Sequence, residues 1–287
     1  MMANEKAITY LARSEEERFL LAHTADLVDR SAGSTVCGDF LSLGEQALVR
    51  AYLTQCGLIE GRSFVFFGGY PFAERARLFL FPEYISDTLS YLTDDTGTPD
   101  GISPLLEICL QECSIAALSV SGSGYKTLGH RDYLGALLSH GLQRDVIGDI
   151  AVLSDSTAVL FTTPAISADL LSSFSRIGAD KVHLTALSPE HAFATPDTRR
   201  WEVFSDTVAS MRLDALVAAA ANLPRDRAKQ MVTGGLVDVN FRTCDAPDTE
   251  ICPGTFLSVR GHGRFCIDAQ DGTSKKGRLR VRIKKLI

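Results

Sequence analysis

Apolar residues recur along this chain with two periods, and the switches between them mark its elements. Over 14–31 and 42–55 the spacing is helical, through Phe19, Leu20, His23 and Leu27 in the first stretch and Ala47, Leu48 and Ala51 in the second. The "SAGSTVCGDF" between them is a loop by composition. "RSFVFFGG" predicts a buried strand from Ser63 to Phe67 ended by a glycine pair. "RARLFLFP" alternates charged and apolar side chains from Arg75 to Phe81, the period of a strand. Turn formers and acids then crowd residues 93–103, "TDDTGTPDGIS", which predicts a domain boundary or a mobile insertion.

The middle of the chain has a regular order. "SIAALSVSG" predicts a strand, "HRDYLGALLSHG" a helix, and "GDIAVLS" and "TAVLFTT" two strands joined at Asp155-Ser156. "PAISADLLSSFSRIG" predicts a helix opened by Pro164 and stopped by Gly178, and "KVHLTAL" a final strand. The sum is β-α-β-β-α-β, the ferredoxin-like order that RNA-recognition folds share. Those folds stack bases on aromatics of their central strands. Here the strands offer Ala, Leu, Val and Ser with Phe161 as the single aromatic, so base stacking is not expected on this sheet.

In the last segment Ser210 is a candidate N-cap, and Leu213, Leu216, Val217 and Ala220 form one apolar helix stripe. Pro224 suits the first turn of a second helix, which the pair Gly234-Gly235 ends. At 100° per residue from Arg225, Ala228, Val232 and Met231 fall at about 300°, 340° and 240°, a buried face. Lys229 and Thr233 fall at about 40° and 80°, so Arg225, Lys229 and Thr233 line its border, and Arg227 lies on the opposite one. Arg212 joins that border if the helices form a compact hairpin. Strands "LVDVN" and "FLSVRG" follow, the second carrying Arg260. In the tail "GRLRVRIKKLI", Leu279, Val281 and Ile283 take one strand face and Arg278, Arg280, Arg282 and Lys284 the other, after Lys275 and Lys276 in the entry turn.

Charge changes the picture. The formal net charge is −6, from 29 Lys+Arg and 35 Asp+Glu. Residues 207–287 hold 14 Lys+Arg and 8 Asp+Glu, a net of +6; the remaining 15 and 27 give residues 1–206 a net of −12. A basic module joined to an acidic body fits a nucleic-acid partner. No apolar run is long enough to span a bilayer, no export signal is evident, and seven cysteines without a C-x-x-C pair fit reduced thiols. The expected location is the cytoplasm. Cys109 and Cys113 lack a second pair, so neither metal nor cofactor is expected.

"RLDALVAAAANLPRDRAKQMVTGGLVDVN" with "CPGTFLSVRGHGRF" resembles the RNA-binding domain named after ribosomal small-subunit protein S4. The resemblance implies RNA contacts at Arg212, Arg225 and Lys229 and a core of Leu213, Leu216, Ala228, Val232 and Val237. Pro224 stands where that family has a serine cap, and Gly234 is an extra glycine before Gly235. Upstream, "FFGGYPFAERARLFLFPEY" and "GYKTLGHRDYLGALLSHGLQRDVIGDI" are similar to the YlmH family. That resemblance implies a non-enzymatic protein of the ribosome, with rRNA as partner and tRNA as a further candidate partner, a role in quality control or rescue on the large subunit, and a link to cell division. The acidic stretch 93–114 departs most from the family. The expected fold class is α+β in three units: an N-terminal α/β domain, 1–103; a ferredoxin-like domain of RRM-like topology, 104–206; and an S4-like αα-β RNA-binding domain, 207–287. The acidic units are expected to position the third or to meet a protein partner.

Several stretches imitate catalytic motifs. "HRD" at His130–Asp132 has no accompanying kinase elements and opens a helix. "GSGYKT" has Tyr125 where a phosphate-binding loop needs glycine. "RLD" at Arg212–Asp214 resembles the pseudouridine synthase aspartate motif, but Met211, Val217 and Ala219 replace its companions, which leaves Asp214 an early-helix acid. The alternative function is an rRNA- or tRNA-modifying enzyme delivered by the same C-terminal module, recognisable by an acid–base pair in a closed pocket within 36–200. In "FFGGYPFAER", Gly68, Gly69, Glu74 and Arg75 suit either a ligand or partner loop or a tight turn.

Overall fold

The computed structural model describes residues 2–85, 114–274 and 277–287. Cys109, Cys113, Lys275, Lys276 and residues 93–113 of the acidic stretch lie outside them. Contacts divide the chain into two compact units, Met1–Thr198 and Arg199–Ile287, in a mixed α and β fold with antiparallel sheets.

The first unit begins with helices α1 (Met2–Leu11), α2 (Glu15–Arg30) and α3 (Leu43–Gln55). Ser14 caps α2 by accepting from Glu17 N, and Ser42 and Glu45 form a reciprocal capping box on α3. Leu21, Leu27, Leu48 and Leu53 bury against a three-stranded sheet of order β1-β3-β2. Its strands are β1 (Val36–Leu41), β2 (Phe64–Phe67) and β3 (Ala76–Leu80). The stretch expected as a loop before α3 thus contains β1. Gly38 explains this locally: a Cβ there would lie 3.1 Å from Leu27 Cδ1, so glycine lets the strand pass close beneath α2.

A second sheet holds β4 (Ala116–Gly122), β5 (Ile147–Val152), β6 (Thr157–Thr162), β7 (Arg176–Ile177) and β8 (Asp180–Ala186) in the order β5-β6-β4-β8-β7. Helices α4 (His130–Ser139) and α5 (Pro164–Ser173) connect these strands in β-α-β-β-α-β-β order, the two-residue β7 being the addition to the expected pattern, and α6 (Pro189–Phe193) follows. The helix expected to reach Gly178 stops at Ser173. Residues 176–177 pair instead with β8 across a turn in which Gly178 has φ +58°. Leu118, Val120, Ile150 and Leu160 face the helices, whereas Ala117, Ala151, Val159 and Phe161 form the opposite face.

The second unit is a six-stranded antiparallel sheet of order β11-β10-β12-β13-β14-β9 with a helix pair, α7 (Leu213–Ala221) and α8 (Arg225–Thr233). Its strands are β9 (Trp201–Val208), β10 (Val237–Val239), β11 (Arg242–Thr243), β12 (Phe256–Val259), β13 (Gly263–Thr273) and β14 (Leu279–Leu286). The unit begins at Arg199 and not at Thr207, because β9 pairs with β14 from Trp201 opposite Leu286 to Val208 opposite Leu279. Leu213, Leu216, Val217, Ala228 and Val232 are fully buried against Leu257, Phe265, Val281 and Ile283. The expected apolar stripe is the real one. Ser210 is not the cap: α7 starts at Leu213, whose N–H donates to Thr249 O while Asp214 N donates to Pro247 O. A neighbouring loop therefore supplies the acceptors that a side chain would have supplied. Pro224 stands at the cap of α8, one place before its first turn, and Ala228 N donates to its carbonyl.

Candidate nucleic-acid interface

Asp214 organises the basic edge of the second unit. Its side chain is only 4% exposed, and it meets both Arg212 Nε and a terminal Arg225 nitrogen at 3.2 Å. Burial alone raises a carboxyl pKa; here the hydrogen bonds and charges of Arg212 and Arg225 outweigh it and hold the group below its ordinary value. The guanidinium groups remain about half in solvent, with 43% and 52% of the two side chains exposed. One buried anion thus holds two cations at the surface, with donors left over for an external acceptor.

Arg278 donates to Thr207 O at 2.6 Å and lines, with Arg225, a groove of about 580 Å³ floored by Ala215, Ala218 and Ala219. Small residues on this side of α7 make the groove. Lys229 is exposed on the next turn of α8, and Thr233 bonds back to Lys229 O and Gln230 O of its own helix. Arg260 is exposed, and its N–H donates to Leu236 O, which sets it beside the glycine end of α8. Among the described residues Lys229, Arg260 and Arg280 make no ion pair.

The structure does not bring every sequence-selected cation to this edge. Arg280 and Arg282 alternate with buried Val281 and Ile283, so they face away from the helix pair. Arg282 is also held by Asp268 at 3.0 Å and Asp271 at 3.3 Å, and Lys284 by Asp268. Lys275 and Lys276 lie outside the described residues. Sequence reading missed the part played by Asp214. The available signal was its place between Arg212 and the start of α8, a carboxylate among cations in an otherwise apolar helix.

In the first unit, "FFGGYPFAER" is buried at Phe67, Gly68, Gly69 and Tyr70, with Pro71 and Phe72 exposed. A Cβ on Gly69 would lie 2.5 Å from the Phe161 ring, and one on Gly68 would lie 2.3 Å from Ala73 Cβ. Tyr70 stacks on Phe161 at 4.6 Å with planes 7° apart. Asp149 accepts from Tyr70 Oη at 2.9 Å, Glu74 N at 2.7 Å and Arg75 N at 2.8 Å. Arg75 in turn donates to the carbonyls of Ile147, Phe40 and Arg144. The β4–β8 face that carries Phe161 is therefore covered, and Phe161 itself is fully buried. Across the helix side of this sheet runs an open groove of about 1080 Å³, lined by Tyr125, Lys126, Arg131, Phe174, Arg176 and Asp180. Asp132 serves as the early-helix acid, accepting from Gly129 N and Lys126 Nζ.

No described helix is long and apolar enough to cross a membrane. Among the described residues no group of three or more His, Cys, Asp or Glu is placed to hold a metal ion.

Residues 112–191, which span the second sheet, match a family model described as "Putative RNA-binding domain in YlmH". The chain belongs to the YlmH family. It is 32% identical over 250 residues to "Ribosome-associated protein quality control protein P2" of Bacillus subtilis (strain 168), covering 85% of this chain and 84% of that relative. The solved structure of "Cell division protein ylmH from Streptococcus pneumoniae" covers 63% of this chain and 97% of its own, with a TM-score of 0.45 and 15% identity.

Proposed function

We propose that this protein binds RNA on the ribosome without chemistry of its own, gripping rRNA and the large-subunit peptidyl-tRNA in translation quality control. The observation that carries the reading is the edge built on Asp214, which holds Arg212 and Arg225 half in solvent, with Arg278 lining the same groove as Arg225 and exposed Lys229 one turn further along α8. Phosphates along a folded RNA match such a spread of cations. The description of the family model and the printed name of the Bacillus relative both support an RNA and ribosome partner. In this reading residues 207–287 act as the S4-like module, and the acidic region divides near residue 103 into two parts that position it.

The enzymatic alternative has weaker support. Asp214 is engaged by two arginines, and Asp149 by three donors, so each carboxylate is occupied in structure. RNA contact by the middle sheet is assigned to its helix side, near Lys126, Arg131 and Arg176, because Tyr70 covers the other face.

The test is sedimentation through a ribosome profile with crosslinking, for wild type and Arg225→Ala plus Lys229→Ala. Wild type is expected to migrate with subunits and the double variant to move towards the free fraction. Its RNA affinity is also expected to lose about two units of log–log salt slope, one for each phosphate contact. Wild type migrating free at low salt, or a flat salt response, defeats the proposal.

A further inference from the structure

Helix α2 buries one side against the core through Leu21, Thr24 and Leu27. An adjoining side carries Phe19, a large aromatic that is nevertheless 77% exposed. Phe19 and half-buried Leu20 line an open groove of about 960 Å³. Buried Phe40 and Leu41, at the end of β1, extend its apolar lining, and residues 143–145, which lead towards β5, contribute to it as well. All of these residues belong to the first unit. A single apolar side chain in water is ordinary. A phenyl ring continuous with other apolar residues along one groove is the kind of patch that marks an interaction surface.

The groove is acidic in its own lining. Glu15, Glu16, Asp39, Glu45 and Asp145 line it against Arg75 and Arg144, a net of −3 from five carboxylates and two guanidinium groups. Local structure accounts for some of these acids. Glu15 and Glu16 suit the N-terminus of α2, and Glu45 closes the capping box of α3. Asp39 and Asp145 come from separate elements, are exposed, and make no ion pair among the described residues. Arg75 commits its donors to the carbonyls of Ile147, Phe40 and Arg144, so it forms no pair with them.

We propose that this groove docks a basic protein segment, with an aliphatic side chain or arginine stem packed on Phe19 and cationic heads meeting Asp39 and Asp145. The charge of the groove itself selects that occupant, because it attracts ammonium and guanidinium groups and repels phosphates. An aromatic anchor inside a charged rim is the usual anatomy of a protein interface, and an arginine gains further by stacking on the ring. The inference goes beyond the RNA-binding reading and stands without it, since it uses the acidic unit and not the basic one.

The full-length protein is titrated with a fluorescein-labelled peptide of alternating lysine and leucine, followed by fluorescence anisotropy. A glutamate–leucine peptide of equal length and a short RNA strand are the comparisons. The lysine peptide is expected to bind and the glutamate peptide not to. Phe19→Ala is expected to weaken the lysine peptide about tenfold, the loss of an anchoring ring, with Tm and RNA affinity unchanged. Asp39→Lys plus Asp145→Lys should weaken it further. Glu83→Lys plus Asp155→Lys, which reverses exposed acids of the same unit outside the groove, should change it less than about twofold. Equal losses from the two charge reversals would mean diffuse attraction to an acidic surface and overturn the site. Unchanged peptide affinity in Phe19→Ala, or no binding of the lysine peptide to wild type, overturns it too. RNA affinity that falls with peptide affinity in Phe19→Ala would make RNA the occupant, and a dimer abolished by Phe19→Ala would make it a second copy; either result defeats the proposal.

Discussion

The sheet of β4–β8 and the sheet of β9–β14 are both antiparallel and both carry two helices on one face, yet their other faces differ. On the first, Ala117, Ala151, Val159 and Phe161 are buried under Tyr70 and Ala192. On the second, Val203, Phe256 and Lys284 keep part of their surface in water. Small residues on the first face admit a neighbouring loop, and Gly69 lets that loop come close enough for Tyr70 to lie flat on Phe161. Larger and charged residues on the second resist such a cover. Topology shared with RNA-recognition folds therefore says little about RNA until the cover on the sheet is known.

The sharpest way to break this contrast is one substitution placed on both faces. Val159→Lys puts an ammonium where the side chain is 4% exposed, and is expected to cost about 5 kcal/mol or to unfold the first unit. Val203→Lys is expected to change stability by less than about 0.5 kcal/mol. Urea unfolding followed by amide exchange separates the two, and similar losses for both would mean the second face is covered as well.

Between these extremes lies Asp149→Ala. It removes the common acceptor of Tyr70, Glu74 and Arg75 and is expected to cost about 3 kcal/mol. A loss below about 1 kcal/mol would show that the loop stays down without its carboxylate. Asp214→Asn should be milder, about 1–2 kcal/mol, because both arginines stay half in solvent. The sign follows from its lowered pKa. Asp214 contributes its full stabilisation above the ordinary value of 3.8, and this contribution is lost as pH falls through the lowered one. Wild type should thus approach Asp214→Asn in stability only below about pH 4; a gap that persists unchanged in stronger acid would remove the ion-pair explanation.

Much of the architecture was legible because burial and periodicity agree where packing is one-sided. The stripe Leu213, Leu216, Val217 and Ala220 and the alternation of Val281 and Ile283 both predicted their buried faces. The legible part stopped where tertiary contacts replaced local signals. β1 looked like a loop because Gly38 is a poor strand former, and its presence depends on Leu27 lying overhead. β9 carries no alternating stripe: Glu202 and Val203 are both exposed, and only pairing with β14 defines it. The site was half readable. Helix rotation separated Arg225 and Lys229 from Arg227, and strand alternation set Arg280 and Arg282 opposite Val281 and Ile283, but no local rule showed that Asp214 anchors two arginines.

Pairing between the first and last strands of the second unit also has a mechanical consequence. Trp201 at the start of β9 lies opposite Leu286 at the end of β14, and Ile287 N donates to Arg200 O. The two ends of the unit therefore meet at one corner of its sheet. Tension applied between them would load the β9–β14 ladder one hydrogen bond at a time, as a zipper opens, and not all at once in shear. The edge strand would peel away at low force, starting from the tryptophan.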